Sequence, residues 1–559
     1  MSQVCTSLLS YQAQLSSCVK RQSFNFKLHM IPNKAIGFRS MPKRCSFVQS
    51  FKAHMPCREN HGAYDLSASN SFQRSKALFG HSDEPWDGDK DFERQLQELF
   101  DEVKTVIKMG NKNDAVDLLQ ANFEAVKEQM SAGDKGMEEA AILDVIALGY
   151  MAIGDFEIVE SILDMLSEIV DCLEDDELLL DSVLIHMASM YSTLGNLEKS
   201  MLMYQRVTNI LERKYGKNST FLVTPLMGIA KVLGSTGRAI KAEEMYHRTI
   251  TIMESNRGVE SEDLVVPLYG LGNLLIKEGK TMDAESPFIR ILNIYTKLYG
   301  ENDGRVGMAM CSLAHAKCAK GKADEAIVLY QRAIQVIMDS NYMALDDSAM
   351  EKMRIDLAEL LHAVGRVKEG RKLLEECLLI MEQYKGKGHP NLVTPLLNLA
   401  TSYSQSRNFV EAERLLRTSL DIMTRNVGPD DQSISFPMLS LAVNLFHLNR
   451  NEEAEQLALE VLRIREEAFG KDSLPVGEAL DCLASIKTRL GRDDDELLAL
   501  LKRVLRIQER EFGRDGEEVM ETIKKVVFYL DKLGRKDEKL PLQRRLSMLR
   551  MKHKQKVHY

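Results

Sequence analysis

The sequence predicts an all-α fold in which helical hairpins are stacked into a solenoid. A glycine recurs about every 42 residues, and the composition is rich in Leu, Ala, Glu, Lys and Arg with only 6% aromatic residues. A period of this length is typical of repeats that bury their apolar faces only against neighbouring repeats. It favours an extended binding surface over an enclosed reaction site. The recurring positions are Gly110, Gly154, Gly195, Gly237, Gly279, Gly321, Gly365, Gly491 and Gly534, with Arg407 and Asn449 at the two positions in between.

Residues 1–58 have the composition of an organelle transit peptide. They contain nine Lys or Arg and nine Ser but no Asp or Glu, and they have no continuous apolar core. A basic, Ser-rich, acid-poor leader of this kind fits import into an organelle better than secretion. The Ser content and the Met1-Ser2 start favour the chloroplast. A mitochondrial presequence and a disordered cytoplasmic tail are the alternatives.

Residues 59–91 are predicted to be a linker, because they show no sustained helical period. The helical pattern begins at Phe92, and the solenoid is predicted to span residues 92–553 as about eleven hairpins. An acidic cluster just before Phe92 is expected to cap the first helix. Residues 554–559 are predicted to be a basic tail. The basic stretch from Arg544 to Lys556, which includes part of this tail, could contact an anionic lipid surface or RNA, whereas the alternative is a terminal helix whose cations complement the helix dipole.

Each repeat has the same internal order around its turn glycine, which is expected to take the left-handed conformation. Small residues seven before and five after the turn allow the two helices to approach closely, and a large residue nine after it fills the gap to a neighbour. Prolines twelve before the turn suit the first turn of a helix. In the repeat that turns at Gly237, these positions hold Pro225, Ala230, Ala242 and Tyr246.

This order of small, aromatic and glycine positions resembles the tetratricopeptide repeat. The 42-residue period resembles the subfamily of kinesin light chains, with the additional residues between one hairpin and the next, as in residues 385–391. Segments that carry the resemblance include Gly388-His389-Pro390, Leu399-Ala400 and Ala412-Glu413. The resemblance implies a right-handed α-α superhelix whose first helices line a concave groove.

The resemblance does not extend to every feature of a light chain. Residues 1–91 contain no sustained heptad pattern of the kind that attaches light chains to the motor, and only Asn398 keeps a groove asparagine typical of the subfamily. The favoured hypothesis is therefore a plant organelle-targeted repeat protein that acts in assembly or maintenance of organelle complexes. A cytosolic light-chain-like adaptor for cargo or microtubule-associated partners is the alternative.

The resemblance places the partner-binding groove at fixed positions in the first helix of each repeat. These positions combine apolar residues with single polar ones, which suits capture of a helix or an extended peptide of a protein partner. The alternative is that some of these side chains only pack against the neighbouring repeat. The predicted groove residues are Met227, Lys231, Tyr269, Asn273, Cys311, His315, Ile355, Glu359, Leu397, Thr401 and Leu439.

The sequence shows no motif for catalysis, a cofactor or a metal, so a non-enzymatic scaffold is expected. Cys311, His315 and Cys318 share one helix face, but the two cysteines would lie about 10 Å apart along the axis, too far for one zinc ion. No apolar run approaches the roughly 18 residues of a membrane span. Outside residues 1–58 the chain holds 64 basic and 82 acidic residues, a net charge of −18, which disfavours nucleic acid.

Overall fold

The computed structural model describes residues 87–557 except 110–111 and 133–135. The predicted transit peptide, the linker as far as residue 86 and Gly110 lie outside these residues. The described residues contain 22 α-helices and no strand, which confirms the all-α prediction. They divide into two compact units, one ending at Met343 and one beginning at Ala344.

The first unit contains six hairpins, each made of a helix A (odd numbers) and a helix B (even numbers). The helices are α1 Asp87–Lys108, α2 Lys112–Ala132, α3 Met137–Ile153, α4 Phe156–Cys172, α5 Leu180–Thr193, α6 Leu197–Tyr215, α7 Val223–Ser235, α8 Ala239–Arg257, α9 Val265–Lys277, α10 Thr281–Tyr299, α11 Gly304–Ala319 and α12 Ala323–Asp339.

The second unit contains five hairpins, so the described residues hold the eleven that the period predicts. The helices are α13 Ser348–Ala363, α14 Val367–Lys385, α15 Val393–Gln405, α16 Phe409–Val427, α17 Ser435–His447, α18 Asn451–Phe469, α19 Leu474–Arg489, α20 Asp494–Phe512, α21 Glu517–Lys532 and α22 Lys536–Val557.

The first and last helices differ from the predicted boundaries by a few residues. Helix α1 begins at Asp87, inside the predicted linker, because the acidic sequence before Phe92 forms its first turn, where a helix favours negative charge. Helix α22 continues to Val557, so most of the predicted tail is helical. The inter-hairpin segment 385–391 is also partly helical: Lys385 ends α14, and Pro390–Leu392 is a 3₁₀ turn leading into α15.

Within each unit, every helix A packs against its own helix B, and most B helices also pack against the helix A that follows. The small residues predicted to allow this approach are fully buried, as Ala188, Ala230 and Ala242 show with 0% exposure. Gly272 is equally constrained, because a Cβ atom there would lie 2.6 Å from the ring of Phe288. Close packing between helices therefore explains the periodic small residues.

The turn between helix A and helix B requires a positive φ. The described turn glycines have φ between 65° and 86°, and Arg407 and Asn449 adopt the same conformation with φ of 61° and 62°. The turn prediction is confirmed even where glycine is missing. A non-glycine residue is strained in this conformation by about 1–2 kcal/mol, less for asparagine.

A second series of glycines, missed at the sequence level, ends the B helices. In it φ lies between 73° and 94° and ψ between 155° and 169°, a region that only glycine enters readily. In the sequence these glycines are recognisable by the same spacing of about 42 residues. These residues are Gly216, Gly258, Gly300, Gly386, Gly428, Gly470 and Gly513.

Gly428→Ala is expected to destabilise the second unit by about 1–3 kcal/mol, whereas Arg407→Gly is expected to stabilise it by about 0.5 kcal/mol. A steric clash does not cause the loss expected for Gly428→Ala, because a Cβ atom at this position meets nothing within 4 Å. Urea unfolding of both variants measures the difference. Gly388→Ala is the control, since its φ is ordinary and its surroundings are equally open. Equal midpoints for Gly428→Ala and Gly388→Ala would contradict the backbone explanation.

Candidate binding face

The solvent-facing side of three A helices in the first unit forms one continuous set of positions. In each helix these positions are 13, 10, 6 and 2 residues before the turn glycine, so they share one helix face. All twelve side chains are exposed or half-buried. We call this surface the A face: Ser182, Ile185, Ser189 and Thr193 on α5; Thr224, Met227, Lys231 and Ser235 on α7; Val266, Tyr269, Asn273 and Lys277 on α9.

The centre of the A face is apolar. Ile185, Met227 and Tyr269 are half-buried and pack against the hydrophobic core of the first unit. The ring of Tyr269 meets the ring of Phe288 edge-on, with a centroid distance of 5.9 Å. Val266, which the sequence reading did not include, is 60% exposed. The core therefore fixes the positions of these apolar side chains, and their outer atoms remain accessible to a partner.

Polar groups surround this apolar centre. Lys231 is exposed and Asn273 is half-buried on the neighbouring helix. At one end of the face, the Lys277 ammonium donates to the carbonyl oxygen of Gly234 at 2.9 Å, which links α9 to α7. The arrangement supplies hydrogen-bonding groups beside an apolar surface, as peptide-binding surfaces do.

Two glycines allow the A-face helices to lie close to tyrosine rings of the preceding B helices. A Cβ atom at Gly228 would lie 2.2 Å from the ring of Tyr204, and one at Gly270 would lie 2.5 Å from the ring of Tyr246. Helices α7 and α9 therefore lie directly on the aromatic residues of the preceding B helices. A larger residue at either position would clash with these rings, which explains why both positions hold glycine.

Two of the predicted groove residues in the first unit are buried. Cys311 is 2% exposed and His315 is 6% exposed, because residues 311–316 of α11 are buried on every side of the helix. A helix that is covered all round presents no stripe to a partner. The predicted groove in this unit is therefore reduced to Met227, Lys231, Tyr269 and Asn273.

In the second unit the predicted residues are divided between core and surface. Ile355 and Leu397 are buried in its hydrophobic core, so packing between repeats, the alternative considered above, accounts for them. Glu359, Thr401 and Leu439 are half-buried on α13, α15 and α17. They remain predicted site residues.

Polar contacts join successive A helices of the second unit. The Asn398 amide donates to Glu359 at 3.3 Å, which ties the groove asparagine to a predicted site residue. The Ser404 hydroxyl donates to the side-chain oxygen of Asn444 at 2.9 Å.

A buried ion pair joins α3 and α5. The His186 Nδ1 and Asp144 Oδ2 atoms are 2.6 Å apart, and the two residues are 5% and 3% exposed. Burial raises the pKa of Asp144, and His186 offsets only part of this effect. Burial lowers the pKa of His186, but the Asp144 charge and hydrogen bond outweigh it and leave this pKa above its ordinary value.

A second ion pair, between buried Arg465 and half-buried Glu478, lies in the second unit between α18 and α19. The Arg465 guanidinium is 3.2 Å from the Glu478 carboxylate, and Arg465 also donates to the carbonyl oxygen of Pro475 at 2.6 Å. Burial raises the pKa of Glu478 to about 7 although Arg465 acts in the opposite direction. Both pairs lie inside the helix packing, so their role is in stability.

No group of three or more His, Cys, Asp or Glu residues is placed to hold a metal ion within residues 87–557 outside the two gaps. In the same described part of the chain, no helix is both long and apolar enough to cross a bilayer.

Family models identify the repeats. Residues 263–337 and 350–425 match a model described as the tetratricopeptide repeat, and residues 438–474 match a second model with the same description. These three segments of the chain are therefore tetratricopeptide repeats, in agreement with the sequence resemblance. No curated protein matches the chain.

Solved structures that resemble the chain include repeats of kinesin light chains. Nearly identical TPR-like repeats of a Podosopora anserina kinesin light chain are 19% identical, with a TM-score of 0.34, 36% of this chain covered and 96% of that chain. BtubC from P. vanneervenii is 19% identical, with a TM-score of 0.33 and coverage of 45% and 93%. The apo quorum sensor NprR from B. thuringiensis is 13% identical, with a TM-score of 0.41 and coverage of 66% and 99%. These likenesses carry no argument about partners.

Proposed function

We propose that this chain is a non-enzymatic scaffold that binds a protein partner on the A face of its first unit. The single observation that carries the proposal is the solvent-facing apolar centre of Met227, Tyr269 and Val266, bordered by Lys231 and Asn273. Such a centre with a polar border suits an amphipathic helix or an extended peptide. Repeats of this class act mainly through such surfaces and seldom through catalysis.

We further propose that the scaffold works in the chloroplast, in assembly or maintenance of an organelle complex. The support for this location is the composition of residues 1–58, which are basic, Ser-rich and free of Asp and Glu. The role in complex assembly follows by analogy with the fold and not from particular residues. Import into isolated chloroplasts separates this location from a cytosolic adaptor.

One experiment tests both proposals. The full chain is imported into isolated chloroplasts, and the protease-protected product is sequenced from its N-terminus and sized on native gels. We expect loss of the leader and migration within a larger complex. The double variant Met227→Ala/Tyr269→Ala should import normally but leave the complex, because loss of anchor residues typically costs about 2 kcal/mol or more each.

The matched control is Ile240→Ala/Met282→Ala, which removes two exposed apolar side chains from B helices α8 and α10. It should import and assemble as the unmodified chain does. No import would refute the location alone. Import with equal assembly of both double variants would refute the A face alone.

A further inference from the structure

The terminal helix α22 has apolar side chains on two opposite sides. Leu546 and Leu549 are buried in the core that α22 shares with α20 and α21. On the solvent side Leu540, Met548 and Met551 are 51%, 55% and 63% exposed. Leu540, Arg544, Met548 and Met551 follow spacings of four, four and three residues, so they lie on one helix face. We call these four residues the terminal stripe.

The terminal stripe lies in the most basic part of the chain. Residues 540–559 contain six Lys or Arg and no Asp or Glu, although the whole chain carries a net charge of −9. Arg545 is engaged within the fold, since it pairs with Glu509 and donates to the carbonyl oxygen of Arg514 at 2.6 Å. Arg544 and Arg550 are exposed beside the apolar side chains. The helix therefore presents positive charge and aliphatic surface together.

We propose that the terminal stripe of α22 binds the surface of an anionic lipid bilayer. Aliphatic side chains at the stripe would enter the boundary between headgroups and acyl chains, while Arg544 and Arg550 would meet the anionic headgroups. Each basic residue near such a surface strengthens binding about fivefold at low salt. The acidic remainder of the chain is repelled by the same surface, which directs this end of the second unit toward it.

The composition of the stripe distinguishes a bilayer from RNA. Binding to single-stranded nucleic acid relies on aromatic rings that stack on bases, together with positive charge. The stripe offers Leu540, Met548 and Met551, which have nothing to stack and gain nothing from phosphate groups. The acyl chains of a bilayer would cover these side chains.

Tryptophan fluorescence from the stripe itself tests this proposal. In the full chain, Trp86→Phe removes the only native tryptophan, and Met548→Trp adds a reporter at the stripe. The reporter is titrated with vesicles of phosphatidylcholine alone and of phosphatidylcholine mixed with phosphatidylglycerol, each with and without brominated acyl chains. Because the signal comes from α22, binding through the basic leader does not produce it.

We expect a shift to shorter wavelength and quenching by brominated chains with the anionic vesicles only, both reversed by salt. Adding Arg544→Gln and Arg550→Gln should weaken the partition about 25-fold in all. The matched control Leu202→Trp replaces a residue that is 59% exposed on α6 and should report no change. An unchanged spectrum with anionic vesicles, an equal shift from Leu202→Trp, or a response to RNA alone would overturn the proposal.

Discussion

Replacing His186 with leucine is expected to lower the free energy of unfolding of the first unit by about 3–5 kcal/mol, because it leaves a buried carboxylate without its charged partner. Asp144 is 3% exposed, and among the described residues its Oδ1 atom has no hydrogen-bond partner while its Oδ2 atom contacts His186. Denaturant unfolding monitored by circular dichroism measures the loss.

The double variant Asp144→Ala/His186→Leu is the control for this prediction. It should be more stable than His186→Leu alone, since removing both partners leaves no buried charge. If the double variant were the less stable of the two, cavity formation rather than the uncompensated charge would explain the result.

The same pair makes the first unit sensitive to pH. The folded-state pKa of His186 lies above its ordinary value, so its contribution is complete below about pH 6.5 and is lost as the pH rises through the raised value. The pKa of Asp144 is also raised in the folded state, so its contribution to stability likewise decreases as the pH rises. The charge of Asp181 also raises the pKa of this imidazole. Relative to the double variant, the unmodified chain should therefore lose stability as the pH rises above neutrality.

Arg465→Met is expected to have the second large effect. It should lower the free energy of unfolding of the second unit by about 3–5 kcal/mol above pH 7. Arg465 is 2% exposed, and its removal leaves the half-buried Glu478 carboxylate without its charged partner. The loss should be smaller near pH 5, where the carboxyl group takes up a proton instead. Urea unfolding at the two pH values tests this difference, and an equal loss at both would contradict the account.

Glu478→Gln provides the matched control. The folded-state pKa of about 7 lies above the ordinary value for glutamate, so the folded chain holds the proton more tightly than the unfolded chain does. Stability from this group is therefore lost as the pH rises from about 4.5 to about 7. Glu478→Gln should gain stability relative to the unmodified chain across that window.

Periodic features of the fold could be predicted from the sequence because each repeat has the same backbone requirement. The turn at Gly237 and the left-handed conformation at Arg407 both follow from the 42-residue spacing. The glycines that end the B helices, such as Gly428, follow the same spacing, but the sequence analysis does not predict them. Asp144 and His186 are also one period apart, so the pair could have been sought at that distance.

The site was only partly predictable. The distance of a residue from the turn glycine indicates which way its side chain points, but it does not indicate how deeply neighbouring side chains cover it. Tyr269 and Cys311 occupy equivalent positions, yet one is half-buried on the A face and the other lies in a stretch of α11 that is buried all round. The contact of Arg465 with Glu478 has no periodic equivalent that would have indicated it. Burial of this kind depends on side-chain size across several helices.

Site-specific photo-crosslinking tests the central claim, binding of a protein partner on the A face, most directly. The chain carries p-benzoylphenylalanine in place of Met227 or Tyr269, and in place of Ile240 or Met282 as B-helix controls, and is irradiated inside chloroplasts after import. The account predicts a discrete crosslinked protein from the two A-face positions and none from the controls. Crosslinks from the controls alone, or the same products from all four positions, would contradict it.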